Sequence, residues 1–150
     1  MNSKLIAVLV VALFATFGSN AVSAQDHERG WETGHIVQVT NVHIKDGMFN
    51  AYINDLNNVW RKFLEEQMKD GSVVDYGMYS NPNSRKGEPD LILTVTYANW
   101  AAFDRGVEYF EDIGSKVLGS PEEMREANID RGELREIGST TVLQEIKFKN

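Results

Sequence analysis

Apolar residues recur along this chain with two different periods, which divide most of it into predicted strands and helices. Segments rich in β-branched residues, with apolar positions two apart, predict strands at residues 35–44, 72–79, 91–97 and 140–148. Segments with apolar positions three and four apart predict helices at residues 48–69, from residue 100 and from residue 121. The resulting order of elements is β-α-β-β-α-(α)-β.

Local signals at the ends of the predicted helices support this division. Asp46 is a candidate cap for the first helix, and Asp70-Gly71 is a typical helix end because glycine can adopt the left-handed conformation. Asn99 can cap the second helix. Ser120 followed by proline is a strong start for the third helix.

The order of elements predicts an α+β protein of the ferredoxin-like βαββαβ type. In that arrangement a four-stranded antiparallel sheet carries its helices on one face. We expect residues 35–150 to form this single domain. The other sheet face would expose apolar side chains to water, and a second copy of the sheet is the simplest cover for them. The chain is therefore predicted to form a homodimer. The side chains concerned are Val37, Val39, Val73, Ile92 and Leu143.

Two motifs resemble the dimeric α/β-barrel superfamily, which includes antibiotic-biosynthesis monooxygenase-like, stress-responsive barrel and NIPSNAP-like proteins. They are Val37-x-Val39-x-x-Val42-x-Ile44-Lys45-Asp46-Gly47 before the first helix and Tyr97-x-Asn99-Trp100-x-x-Phe103 at the second. The resemblance implies a dimeric α/β barrel that binds or oxidises small organic molecules, or handles haem. Haem-degrading members use a histidine on the second helix, and no histidine lies between Trp100 and Gly132. We therefore expect no cofactor and transfer no catalytic residue.

The first 24 residues have the three-part pattern of a secretory signal peptide. Lys4 precedes an apolar run at residues 5–17, and cleavage is expected between Ala24 and Gln25. We expect a periplasmic or secreted protein with a flexible arm at residues 25–34. An uncleaved N-terminal anchor is the alternative.

Composition removes several classes of function. The net charge of −7 disfavours nucleic-acid and anionic membrane partners, so after signal cleavage we expect neither. The chain has no cysteine, which excludes disulfides, thiolate metal sites and cysteine nucleophiles. Phosphate-binding glycine loops, HExxH, GxSxG and dinucleotide fingerprints are also missing from the sequence.

Polar and aromatic side chains suggest a site for a small molecule. Five polar residues are predicted on the face without helices: Asn41, His43, Asp75, Tyr79 and Glu145. His43 and Asp75 are the candidate catalytic residues, because a histidine and a carboxylate in a partly apolar cavity can transfer protons. The alternative is that these residues form cross-strand hydrogen bonds or face solvent.

Aromatic side chains could form the wall of such a site, or they could simply be core. The candidates are Trp60, Tyr76, Tyr97, Trp100, Phe103 and Phe110. Our predicted ligand-binding residues are Asn41, His43, Tyr79, Tyr97 and Trp100.

Cleavage after Ala24 would place His27 third from a free amine. The amine, two deprotonated backbone amides and the His27 imidazole would form a square-planar set of nitrogen ligands, which suits Cu(II) or Ni(II). Cyclisation of Gln25 would remove the amine, and a histidine at this position is also common by chance.

Two functions follow from these patterns. We favour binding of a small hydrophobic or aromatic ligand between the sheet and the helices. The alternative is a cofactor-independent monooxygenase or isomerase that uses polar residues of the open sheet face. A purely structural interaction would fit if that face proves fully packed.

Overall fold

The computed structural model describes residues 29–150 and contains four strands and a helical layer. The predicted signal peptide, His27 and residues 25–28 of the predicted arm lie outside the described residues. The elements are β1 (Trp31–Ile44), α1 (Phe49–Asp55), a π-helical segment (Leu56–Trp60), α2 (Arg61–Lys69), β2 (Val73–Ser80), β3 (Leu91–Tyr97), a 3₁₀-helix (Trp100–Asp104), α3 (Val107–Leu118), α4 (Pro121–Leu134) and β4 (Arg135–Phe148).

The strands form one antiparallel sheet in the order β2-β3-β1-β4. Buried side chains of β1, β2 and β3 contact the helices on one face, as predicted for the α+β ferredoxin-like fold. The opposite face carries no helix in the described part of the chain. β2 and β4 are the edge strands.

Both β1 and β4 are longer than the apolar pattern indicates. β1 begins at Trp31 rather than residue 35, so residues 31–34 of the predicted arm are part of the sheet and pair with the end of β4. β4 begins at Arg135 rather than residue 140. Irregular pairing near Gly34 and Gly138 interrupts the alternation of side chains, which hides these extensions from a sequence pattern.

An irregularity in β2 reverses one prediction about side-chain direction. Val73 lies opposite Tyr97 and is only 1% exposed on the helix side, although alternation predicted it on the open face. The next paired residue is Asp75, so Val74 is the extra residue of a bulge. Asp75 itself points to the open face, as predicted.

The helical layer departs from regular α-helix at two places. The predicted helix at 48–69 contains the π-helical segment between α1 and α2, and its cap position is Met48 with no capping side chain, rather than Asp46. The predicted second helix is divided at Arg105 and Gly106 into a 3₁₀-helix and α3. The caps predicted at Asn99 and Ser120 are confirmed, since each side chain accepts a backbone N–H.

Two clusters of buried side chains hold the helices on the sheet. The first contains Val42, Tyr52, Leu56, Leu91 and Leu93, and the second contains Leu64, Val73 and Val95. Trp60 packs against both clusters. Each fully buried aliphatic side chain contributes about 1.5–3 kcal/mol, so the two clusters stabilise the packing of the helices on the sheet.

α4 depends on a different contact, because it has no fully buried residue. Nε of Arg131 in α4 lies 2.7 Å from Oδ2 of Asp55 in α1, and both side chains are about 15% exposed. An ion pair shielded from water in this way leaves a costly buried charge when one partner is removed.

We therefore expect Arg131→Ala to lower the free energy of unfolding by about 3 kcal/mol, measured by urea denaturation. Lys116→Ala is the matched control, because it breaks the exposed Lys116–Asp112 pair of α3. That variant should change stability by less than about 0.5 kcal/mol. Equal effects of the two variants would contradict the role of the Asp55–Arg131 pair.

Candidate functional site

An apolar groove of about 300 Å³ opens between edge strand β2 and the first helical stretch, which consists of α1, the π-helical segment and α2. It therefore lies on the helix side of the sheet. Its lining residues are Ile53, Asn54, Leu56, Asn57, Trp60, Arg61, Tyr76 and Met78.

The fold positions the aromatic walls of this groove. Tyr76 and Met78 project to the helix side of β2, opposite Val95 and Leu93 of β3. Trp60 ends the π-helical segment, a wider helical turn that is rare and recurs at functional sites. The rings of Trp60 and Tyr76 meet edge to face, with centroids 5.4 Å apart.

Polar groups lie on the helical side of the groove. Asn54 and Asn57 are exposed and offer amide donors and acceptors. Arg61 donates to Oε1 of Glu65 at 2.9 Å, so its charge is already partnered. Aromatic and thioether walls with a few amides at the edge suit a flat, mainly apolar molecule that carries a polar group.

The open face holds four of the predicted polar residues: Asn41, His43, Asp75 and Tyr79. Nδ2 of Asn41 donates to Oγ of Ser139 at 2.9 Å. His43 lies over Gly138, where an added Cβ would be 2.6 Å from its Nε2. Tyr79 is 60% exposed.

His43 and Asp75 do not meet within one protomer. Asp75 is opposite Thr96, and Thr96 is opposite Val37, which precedes His43 by six residues on β1. At about 3.3 Å per residue, the two side chains are separated by roughly 20 Å along the sheet. A direct proton relay between them is therefore not formed in the protomer.

Glu145, the fifth polar candidate, has a local structural role. Its Oε2 accepts the backbone N–H of His35 at 2.9 Å, which holds the pKa of this carboxyl below its usual value. The contact joins β4 to the irregular part of β1.

Tyr97 and Trp100 lie away from the other predicted ligand-binding residues. Tyr97 is on the helix side, where burial raises its pKa and its ring lies 4.7 Å from that of Phe103. Nε1 of Trp100 donates to Oε1 of Gln144 at 2.8 Å. The five predicted residues are thus divided between two faces of the sheet and do not surround one cavity.

Sequence reasoning included Trp60 and Tyr76 as possible wall residues but missed the rest of the groove. Asn54, Asn57 and Met78 were not among the site residues predicted from the sequence, although all three line the groove. Two asparagines beside an apolar helical face were the available signal. The π-helical segment, which follows Asn54 and contains Asn57, has no recognisable sequence pattern.

The described residues contain no group of three histidine or carboxylate side chains that could hold a metal ion. Between residues 29 and 150, no helix has both the length and the apolar character needed to cross a bilayer. The candidate metal ligand His27 is outside this range.

Comparison with solved structures supports the fold. HapK from Hahella chejuensis superposes with a TM-score of 0.51 at 11% identity, covering 73% of this chain and 91% of that one. A NIPSNAP family protein of unknown function from Agrobacterium tumefaciens gives 0.50 at 10% identity, covering 77% and 92%. The chain has the ferredoxin-like fold predicted from its sequence.

The likeness extends to the architecture alone, because the identities are too low to carry an activity. The NIPSNAP protein belongs to one of the groups that the sequence motifs resembled. No protein-family model matches the chain, and no curated protein matches it in sequence.

Proposed function

We propose that this protein is an exported homodimer that binds a small hydrophobic or aromatic molecule in the groove between the first helical stretch and β2. The observation that carries the proposal is the pairing of Trp60 and Tyr76 across an open, mainly apolar groove. In a closed core these rings would be covered. Here Met78 beside them is 45% exposed.

The shape and chemistry of the groove define the ligand class. A volume of about 300 Å³ is at the lower end of the range for small-molecule sites, so the part of a ligand held here is one or two rings in size. The amides of Asn54 and Asn57 can hydrogen-bond a hydroxyl or carbonyl at the edge of the ring.

Binding is preferred over the oxygenase or isomerase alternative on geometric grounds. The candidate catalytic pair, His43 and Asp75, is separated within the protomer and lies on the face opposite the groove. No other observation favours catalysis over binding.

The groove can be tested with two tyrosines of the same strand. Tyr76→Ala removes a ring from the groove and should weaken binding of N-phenyl-1-naphthylamine about tenfold, from the loss of roughly 1–2 kcal/mol of aromatic contact. Fluorescence titration of this neutral probe measures the effect. Tyr79→Ala, on the opposite face, should leave the affinity unchanged. Loss of binding in Tyr79→Ala alone would place the ligand on the open face and refute the proposal.

Dimerisation through the open face would leave this groove accessible. Val37 and Val39 in the middle of the sheet are half-buried in the protomer, and Leu143 at its edge is 50% exposed. Covering such side chains with the same face of a second copy removes apolar surface from water at about 25 cal/mol per Å². Closed two-fold dimers are the commonest oligomers, which supports this partner.

Adjacent residues of β4 provide the test of the dimer. Leu143→Asp places a charge in the proposed interface and should convert the dimer to monomer in light scattering coupled to gel filtration. Val142→Asp is the control, because Val142 is 41% exposed but points to the helix side. A monomeric wild type, or equal dissociation of both variants, would contradict the open-face dimer.

Export is supported by the signal-peptide pattern of residues 1–24. Intact-mass measurement of protein recovered from the periplasm or medium should give a chain that begins at Gln25. The same mass shows whether Gln25 has cyclised, which would remove the amine that Cu(II) binding through His27 requires. Recovery of the full-length chain in a membrane fraction would instead support the uncleaved anchor.

A further inference from the structure

The groove lies beside a free edge of the sheet. β2 pairs with β3 along one edge, and no other strand of the described chain pairs with its opposite edge. Among the described residues, the walls of the groove come from the first helical stretch and from β2, with none from β3. The groove therefore opens toward the unpaired edge of β2 rather than over the middle of the sheet.

The hydrogen bonds between β2 and β3 show which backbone groups of β2 have no partner strand. The N–H of Ala98 donates to the carbonyl oxygen of Ser72 at 3.0 Å, and the N–H of Asn81 donates to that of Asp90 at 2.8 Å. Residues of an antiparallel pair alternate between facing the partner strand and facing away from it. Asp90 and Ala98 are eight residues apart, so both bonds fit one alternation along β3. Through the register of the pair, the residues of β2 whose N–H and C=O face away are Tyr76, Met78 and Ser80.

Tyr76 and Met78 combine two properties that a ligand can use together. Their side chains line the groove on the helix side, and their backbone groups face the unpaired edge. Directly opposite residues of paired strands point their side chains to the same face of a sheet. A residue of an added strand that exchanges hydrogen bonds with Tyr76 or Met78 therefore directs its own side chain to the groove.

The edge of β2 lacks the residues that commonly prevent pairing with another chain. Natural edge strands are often protected by lysine, proline or inward-pointing charges. Between residues 75 and 80 the one charged side chain is Asp75, which lies on the open face. The other edge strand, β4, carries four charged residues: Arg135, Glu136, Glu145 and Lys147. The edge of β2 is thus accessible to an added strand.

The length of this edge favours a short segment over a second copy of the chain. The bulge at Val74 limits the regular part of the edge to residues 75–80. At about 3.3 Å per residue this part is roughly 20 Å long, which accommodates an extended segment of about five residues. Pairing of a second copy through this stretch alone falls short of the roughly 1,000 Å² of buried surface that a stable interface needs.

We propose that the ligand of the groove is a short peptide segment in extended conformation, which adds to the free edge of β2 as a further strand. Its backbone exchanges hydrogen bonds with Tyr76 and Met78, and an aromatic side chain enters the groove against Trp60 and Tyr76. In strand addition the main-chain bonds supply affinity, and the pocket for the side chain supplies specificity. This inference rests on the proposed function of the groove and deepens it by naming the ligand class.

The backbone of the ligand provides the first test, by isothermal titration calorimetry with the blocked peptide acetyl-Thr-Thr-Phe-Thr-Thr-amide. N-methylation of the phenylalanine removes the N–H that bonds to β2 and should weaken binding at least about fivefold, the contribution of one hydrogen bond. N-methylation of the threonine that follows it is the matched control, because the N–H of that residue faces away from β2. This control should bind with the affinity of the parent peptide.

Two substitutions at one position provide the second test. Met78→Pro removes an outward-facing N–H of β2, whereas Met78→Ala removes the same side chain and keeps the N–H. The peptide should bind Met78→Pro at least about fivefold more weakly than Met78→Ala. N-phenyl-1-naphthylamine has no peptide group and should bind both variants alike. Both should unfold at similar temperatures, because this N–H faces away from β3. If Met78→Pro folds poorly, the N-methylated peptides decide.

The outcomes separate this inference from the function on which it rests. Probe binding that depends on Tyr76, together with no peptide binding or with equal effects of the two N-methyl groups, would overturn strand addition but leave the groove as the site. Conversion of a dimer to monomer by Met78→Pro, but not by Met78→Ala, would show that a second copy occupies the edge and would overturn the peptide ligand. Absence of binding for probe and peptide alike would overturn both proposals.

Discussion

The position of Trp60 is the constraint on which the rest of the helical layer depends. One helical stretch must cover three strands of a sheet, and its apolar face must reach two separate groups of buried residues. Trp60 packs against both groups, from a π-helical segment that interrupts the α-helix between them. Leu56 of this segment belongs to one group, and Leu64 of α2 belongs to the other. The same segment places Trp60 at the groove beside β2, so the packing of the helical layer and the candidate site depend on one residue.

The two faces of the sheet have separate roles as a consequence. Helices and groove are on one face, while the other presents Val37, Val39 and Leu143 beside Asn41 and His43. A partner that covers the second face does not obstruct the first. The proposed ligand binding and the proposed dimerisation can therefore operate independently, and a substitution on one face need not disturb the other.

The elements that sequence predicted best are those in which local chemistry decides the structure. β3 occupies residues 91–97 as expected, because its short run of apolar and β-branched residues has no helical periodicity that would favour another structure. Ser120 and Asn99 cap their helices because a short polar side chain satisfies a free backbone N–H wherever a helix begins. The order of strands followed from the order and length of the elements.

The features that sequence did not predict depend on tertiary packing. The bulge at Val74 places the side chain of Val73 on the helix face instead of the open face. Irregular pairing near Gly34 and Gly138 accompanies the extension of β1 and β4 through residues without apolar alternation. The groove also depends on residues distant in sequence, since Asn57 and Met78 approach only when the helix lies across β2. An apolar pattern identifies which side chains are buried, but it does not show where their packing leaves a groove.

Methionine methyl groups report directly on the central claim, that ligand binds against Trp60 on the helix side of the sheet. Met78 lines the groove, whereas Met48 and Met68 are exposed elsewhere on the surface. With ¹³C-methyl methionine in the chain, titration with N-phenyl-1-naphthylamine should shift the Met78 resonance through the ring current of the bound probe. Met48 and Met68 should stay unchanged. An unshifted Met78 resonance under saturating probe would contradict the account.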